Sequence, residues 1–289
     1  MKNITIGKYI PYNSIIHRLD PRVKIMSMIL FMVMIFLRFA SVPMNFLVYG
    51  ILFVALLIIM GIAHISLGML FGQLKALWLM IFILLLINVL VPGDDVYGHF
   101  EVFNTGWKIY YASLYNTLYI VIRLIIMLGI SLVLTATTKP LEITNALEWM
   151  MKPLKFIHFP VHEIAMTISL ALRFIPTLLD ETERIMKAQA SRGVDFEHGK
   201  FKEKVRAIIS LIIPLFISAF QRSGELADAM EARGYDPSAK RTKYRVNKWR
   251  IKDSICSILV LIMLGGLITM SVMKIDLVAL LINFIKGVI

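Results

Sequence analysis

Two short segments of this chain place an arginine where it could form paired hydrogen bonds with another protein. The first reads Ser191-Arg192-Gly193-Val194-Asp195 and the second reads Ala232-Arg233-Gly234-Tyr235-Asp236. Each has a small residue, an Arg-Gly pair and an Asp two positions after the Gly, and each follows a long helical stretch. A guanidinium held at a helix end can grip a carboxylate or a carbonyl group in a forked pair. The pattern indicates recognition chemistry.

Helix capping is the competing interpretation of each segment. A glycine just past a helix adopts the left-handed conformation that ends it, and a basic residue nearby complements the helix dipole. Capping does not require the small residue before the arginine or the aspartate after the glycine. Because Arg192 and Arg233 lie 41 positions apart in matching contexts, we expect them to dock on two similar partners.

Other candidate chemistry is weaker. Asp94 and Asp95 form an acidic pair that could hold a metal, but no second acidic cluster accompanies them. His158 and His162 could share a helix face, for which a structural role is favoured over metal binding. His162-Glu163 is not followed by the second histidine of a zinc-protease helix, and the chain has no phosphate-binding loop. We therefore expect no catalytic residue, no metal site and no directly bound cofactor.

The composition is that of a membrane protein. Of the 289 residues, 58% are hydrophobic, well above the roughly 45–50% of a soluble domain. The net charge is +12, and 20 of the 31 Lys and Arg residues lie between Lys139 and Lys252. An excess of basic residues marks the cytoplasmic side of a membrane protein. Topology therefore explains the charge, and no nucleic-acid partner is expected.

Several apolar runs approach the roughly 20 residues that a membrane-spanning helix needs. They predict an all-α, polytopic membrane protein with about five transmembrane helices, over residues 25–42, 45–63, 76–92, 115–136 and 254–273. Basic residues before the first span predict a cytoplasmic N-terminus. The acidic loop that follows Pro92-Gly93 is expected outside. Arg123 lies within the fourth span, where structural pairing is favoured over a transport role.

The middle of the chain predicts a different kind of structure. A short amphipathic helix is expected over 141–152, followed by two long helices over 161–192 and 202–233. Both long helices begin apolar and end polar, which is typical of helices that start at a membrane and project or lie at its cytoplasmic face. Pro176 and Pro214 interrupt them and are candidate hinges, static kinks being the alternative.

These patterns divide the chain into three parts. Residues 1–138 are predicted as a membrane domain of four spans, residues 139–252 as a cytoplasmic coupling domain, and residues 253–289 as a C-terminal transmembrane region. The coupling domain ends in a basic linker, which we expect among anionic lipid headgroups. The apolar tail from Leu277 is an interfacial helix or an extension of the last span.

The two Arg-Gly segments resemble the paired Ala-Arg-Gly signatures of the transmembrane T-component of energy-coupling factor (ECF) transporters. Ser191-Arg192-Gly193 has Ser in place of Ala, and Ala232-Arg233-Gly234 matches fully. The N-terminal segment from His17 to Lys24, His-Arg-Leu-Asp-Pro-Arg-Val-Lys, is also similar to that family. The resemblance covers essentially the whole chain.

The resemblance implies a non-catalytic scaffold in the plasma membrane of a prokaryote. Each Arg motif would dock on one of two similar or identical ATP-binding-cassette ATPases, which use the ATP and Mg. The coupling helices would hold a substrate-binding S-component for vitamin or metal-ion uptake. A conventional importer permease with its own substrate pathway is the main alternative, and an intramembrane enzyme is another.

Overall fold

The computed structural model describes residues 9–37, 39, 41–90, 99–102, 107–196, 198, 200–236 and 249–273. Apart from one short hairpin, every regular element of these residues is a helix, which confirms the all-α prediction. The helices are α1 (Pro21–Phe36), α2 (Val42–Ile62), α3 (Leu67–Leu90), α4 (Tyr111–Thr137), α5 (Pro140–Met150), α6 (Val161–Ser191), α7 (Phe201–Ala232) and α8 (Ile251–Val272), with a 3-10 helix over Lys152–Ile157.

The hairpin joins β1 (His99–Val102) to β2 (Trp107–Tyr110) in antiparallel register, with His99 opposite Tyr110. The sequence predicts only an acidic loop here, so the two strands are an unpredicted element. Asp94 and Asp95 of that loop lie outside the described residues. So do Pro92-Gly93, the basic linker positions 240–248 and the apolar tail from Leu277.

The chain divides into two compact units. The bundle unit contains the described residues of 9–139 and 249–273, and the long-helix unit contains those of 140–236. The prediction of a membrane domain, a cytoplasmic coupling domain and a C-terminal transmembrane region, with boundaries at 138 and 252, concerns the position of each part relative to the membrane. It stays a prediction.

Five helices are long and apolar enough to cross a membrane, among the residues that the structure describes. They are Val42–Ile62, Leu67–Asn88, Ser113–Thr137, Val161–Ser191 and Ile251–Val272. The number agrees with the prediction of about five spans, but the membership differs. α6 is included, although its sequence predicts a coupling helix. α1 has 16 residues, which is short of the roughly 20 needed.

The predicted first span, 25–42, is wrong in its extent because α1 ends at Phe36. The carbonyl of Ile35 accepts hydrogen bonds from the Tyr49 hydroxyl (2.6 Å) and from Nη2 of Arg123 (3.1 Å). These donors satisfy a carbonyl at the helix end that would otherwise be exposed to an apolar environment. The Arg123 guanidinium also lies 4.4 Å from the ring centroid of Phe36. Arg123 therefore has the structural pairing that its sequence context favours.

The predicted third span is also wrong at its start. α3 begins at Leu67 instead of residue 76, so that Lys75 lies within the helix.

The core of the bundle unit lies between α1, α2 and α4. Its fully buried side chains include Met34, Ile35, Leu52, Leu56 and Ile126. α4 approaches α2 so closely at Gly129 that a Cβ there would collide with the side chain of Leu56. Close approach through a small residue is the usual way in which membrane helices gain packing contacts.

A buried polar network joins the ends of three helices in the bundle unit. Nζ of Lys24 on α1 donates to the carbonyl of Thr137 at the end of α4 (2.9 Å) and to that of His17 (3.2 Å). Asp253 on α8 accepts from the backbone N–H of Asp20 (2.8 Å). Asp20 in turn caps α1 by accepting from Arg22 N–H (2.9 Å).

His17 completes this network. Its Nε2 lies 3.1 Å from the carbonyl of Ile10 and its Nδ1 lies 2.8 Å from the hydroxyl of Ser14. Because a carbonyl only accepts, Nε2 carries the proton and Nδ1 accepts from Ser14 in the neutral ring. Burial lowers the pKa of His17 below its ordinary value, and the charge of Lys24 lowers it further, while the bond to Ile10 partly opposes both. The segment from His17 to Lys24 thus anchors α1 to its neighbours.

Candidate functional site: two capped helix ends

The first Arg-Gly segment forms the C-terminal cap of α6. The helix ends at Ser191, and Gly193 adopts a left-handed conformation with φ of 86°. The Gly193 N–H donates to the carbonyl of Ala190 (2.9 Å), and the Val194 N–H donates to that of Gln189 (3.1 Å). This pair of bonds is the Schellman motif, which satisfies carbonyl groups at a helix end.

The second segment repeats this geometry at the end of α7. Gly234 has φ of 68°, the Gly234 N–H donates to the carbonyl of Glu231 (2.8 Å), and the Tyr235 N–H donates to that of Met230 (3.0 Å). A Cβ on Gly193 or Gly234 would meet nothing within 4 Å. The glycines are therefore required by their backbone conformation and not by crowding.

Capping thus accounts for both glycines but not for the arginine side chains. Arg192 and Arg233 occupy the cap position with nearly identical backbone angles, φ of −89° and −90°. Both residues are exposed, as are Ser191 and Ala232 before them. Neither guanidinium makes an ion pair or a side-chain hydrogen bond within the part of the chain that the structure describes. Both are available to a partner.

Asp195, two residues after Gly193, makes a local hydrogen bond at the end of α6. Oδ1 of Asp195 accepts a hydrogen bond from the His198 N–H (3.0 Å). The hydroxyl of Ser191 donates to the carbonyl of Lys187 one turn earlier (3.0 Å). The serine at this position is therefore accommodated within the helix, as alanine is at the second end.

The two long helices are joined by a polar contact at Glu181, which the sequence does not predict. Glu181 on α6 accepts from the Ser218 hydroxyl (2.6 Å) and from Nη2 of Arg222 (2.7 Å), both on α7. Glu181 precedes Arg192 by 11 residues, and Arg222 precedes Arg233 by 11 residues. At 1.5 Å per residue, each helix end lies about 16 Å along its helix from this contact. The sequence has no local signal for this contact, because Ser218 and Arg222 lie 37 and 41 residues from Glu181.

Pro176 and Pro214 lie inside α6 and α7, and the helices continue through both. Each proline lacks the N–H that would bond the carbonyl four residues earlier, at Leu172 and Ser210. Their role as hinges stays a prediction.

The residues considered for metal binding are placed as follows. His158 ends the 3-10 helix in a left-handed conformation. Nδ1 of His162 lies 3.6 Å from a carboxylate oxygen of Glu148. Among the described residues, no three His, Cys, Asp or Glu side chains come together as a metal site would require.

The fold, with five described helices long and apolar enough to cross a membrane, is that of a multi-pass membrane protein in which α6 and α7 end in exposed arginines. Comparison with known families gives a match over residues 12–244 to CbiQ, described as cobalt transport protein. The chain is 41% identical over 265 residues to the energy-coupling factor transporter transmembrane protein EcfT of Bacillus subtilis (strain 168), covering 90% of this chain and 96% of the relative. It is 43% identical over 261 residues to EcfT of Limosilactobacillus fermentum, covering 90% and 94%.

EcfT of Listeria innocua is 39% identical over 272 residues, covering 93% of this chain and 98% of the relative. The chain therefore belongs to the CbiQ/EcfT family of energy-coupling factor transporter transmembrane proteins. The resemblance drawn from its Arg-Gly segments is confirmed.

Proposed function

We propose that this chain is the energy-coupling scaffold of an ECF-type importer in the plasma membrane of a prokaryote, with its N-terminus in the cytoplasm. Two ATPase subunits, similar or identical, dock on the ends of α6 and α7 and hydrolyse ATP with Mg. A membrane-embedded S-component carries the substrate, a vitamin or a metal ion, and receives the motion. The single observation that carries the proposal is the pair of helix ends with matching cap geometry, whose exposed arginines have no side-chain partner among the described residues.

The docking step follows from the chemistry of those ends. Each guanidinium projects from a cap whose backbone carbonyls are already satisfied, so it can give its donors to a partner's carboxylates or carbonyls. The small residue before each arginine leaves room for the partner's backbone. Two equivalent ends suit two related ATPases.

The S-component needs a second surface, and α7 offers one. Ile209, Ile213, Phe216 and Phe220 recur at the spacing of one helix face, and all but Ile209 are more than half exposed. The rings of Phe216 and Phe220 stack at 6.3 Å. An apolar face of this kind suits a partner helix or lipid. We assign it to the S-component because the same helix ends in the polar, arginine-bearing segment.

Coupling is then a mechanical consequence of the contact between α6 and α7. When the ATPases close on ATP and reopen, the two arginines are moved relative to each other. Glu181, Ser218 and Arg222 hold the helices together about 16 Å from either end, so that the displacement is passed to the apolar halves. This is a hinge-type population shift between two arrangements of the helix pair.

A conventional permease is favoured by one observation in the bundle unit. A cavity of about 550 Å³ is lined by polar side chains that include Asn45, Asn88, Asn116, Tyr119 and Arg123. Such a cavity is a candidate substrate pathway. Against this role, Arg123 and Asn88 are engaged by backbone carbonyls of Ile35 and Leu84.

The composition of the native complex separates the two functions. The full chain, carrying an affinity tag, is purified from membranes in mild detergent and its partners are identified by mass spectrometry. The scaffold proposal expects ATPase subunits together with an integral membrane substrate-binding protein. A soluble or lipid-anchored binding protein with no such membrane subunit would support the permease and contradict the scaffold.

A further inference from the structure

A cavity at the start of α8 has a lining unlike the rest of the bundle unit. Its volume is about 380 Å³, within the range of small-molecule sites. It lies between the segment that leads into α1 and the first turn of α8. Arg18, Arg250 and Lys252 line it, against one carboxylate, that of Asp253.

One carboxylate offsets only one of the three positive charges, and its oxygens are bonded to backbone N–H groups instead of to the cations. Asp253 is 1% exposed, and its Oδ1 and Oδ2 accept from the N–H groups of Asp20 and Arg250, each at 2.8 Å. The side chains of Arg18, Arg250 and Lys252 are exposed and make no ion pair within the described part of the chain. The cavity therefore holds a surplus of positive charge.

An apolar track leads away from the same cavity. Ile251 lines the cavity itself, and Ile255, Ile258 and Ile262 follow at the spacing of one face of α8. All four are more than half exposed. α8 is long and apolar enough to span a membrane, and we therefore expect its first turn near the boundary between headgroups and acyl chains.

A cationic cavity that opens onto an aliphatic helix face at this depth has the chemistry of a phospholipid site. We propose that it binds one anionic phospholipid, with the headgroup phosphate held by Arg18, Arg250 and Lys252 and an acyl chain lying along Ile251, Ile255 and Ile258. The site joins the segment before α1 to α8, so a bound lipid would strengthen the junction that Asp20 and Asp253 form. It does not depend on the ATPase-docking ends.

The test uses the purified full chain with phosphatidylglycerol and, in parallel, phosphatidylcholine, and measures bound lipid by native mass spectrometry. The wild type is expected to retain phosphatidylglycerol in preference to phosphatidylcholine. Arg18→Gln with Lys252→Gln should reduce the apparent affinity for phosphatidylglycerol on the order of tenfold, since each basic residue near anionic lipid contributes appreciably.

The matched control is Lys204→Gln with Arg206→Gln, which removes the same charge from exposed positions on α7 and should leave lipid retention unchanged. Equal loss in both variants, or equal retention of the two lipids by the wild type, would overturn the site. Displacement of the lipid by millimolar inorganic phosphate alone would also overturn it, by showing an anion site without an acyl component. Circular dichroism of each variant confirms that it is folded.

Discussion

The bundle unit and the long-helix unit bury their apolar side chains very differently. Of the 24 buried hydrophobic residues of the described chain, only Ala146, Val161, Ala165 and Ala207 lie within residues 140–236. α6 and α7 have 31 and 32 residues, yet their large side chains remain on the surface. In the bundle unit, Met34, Ile35, Leu52 and Leu56 are fully buried.

The packed core belongs to α1, α2 and α4, whereas α3 and α8 of the same unit expose most of their apolar side chains, as α6 and α7 do. The bundle unit has a packed core and a polar network that ties α1, α4 and α8 together. The long-helix unit has satisfied caps and one polar contact between its helices, at Glu181. Among the described residues, Arg192 and Arg233 have no side-chain partner, and one apolar face of α7 is uncovered. Under the proposed function, partner subunits would cover these surfaces.

We expect the largest difference in stability between the two units when one apolar side chain is truncated in each. Leu52→Ala removes a side chain that is 1% exposed and should destabilise the purified chain by about 3 kcal/mol. Phe216→Ala removes one that is 68% exposed and should leave the thermal midpoint of the isolated chain nearly unchanged.

The same two variants are then compared in the assembled complex. Phe216→Ala should weaken retention of the membrane partner, whereas Leu52→Ala should lower stability both alone and assembled. A loss of stability in the isolated Phe216→Ala chain equal to that of Leu52→Ala would break the comparison.

A smaller effect is expected at the contact between α6 and α7. Glu181 and Arg222 are partly exposed, so their coupling in a double-mutant cycle of alanine variants should be at most about 1 kcal/mol. Thermal unfolding of the full chain measures it. Glu183, which pairs with Lys187 on α6 alone, supplies the control, and Glu183→Ala should be additive with Arg222→Ala. If Glu181→Ala and Arg222→Ala were also additive in their effect on stability, the contact between them would not join the helices.

The ends of the long helices could be predicted closely from the sequence. Residues 161–192 and 202–233 were expected and Val161–Ser191 and Phe201–Ala232 are found. The Arg-Gly pairs made this possible because a glycine cap is a local signal, read from neighbouring residues. The family could be recognised from the same segments.

The end of α1 could not be predicted, because its cause is not local. The apolar run continues past Phe36, and the donors that satisfy Ile35 come from Tyr49 and Arg123, 14 and 88 residues away. The network around Lys24 and Asp253 spans 113 and 233 residues in sequence. The polar contact at Glu181 likewise depends on how two helices meet. Such contacts leave no periodic pattern in one sequence.

The central claim is that Arg192 and Arg233 couple the ATPases to the membrane partner and are more than parts of a helix cap. The most direct measurement is ATP-driven uptake by the reconstituted complex with Arg192→Ala and Arg233→Ala combined. Arg173→Ala with Arg206→Ala, at exposed positions on the same two helices, is the matched control. We predict that the double variant at the helix ends loses uptake by at least about thirtyfold, as expected when a charged pair at an interface loses one partner, while the control keeps it. Full ATP-driven uptake by an intact complex that lacks both end arginines would contradict the account.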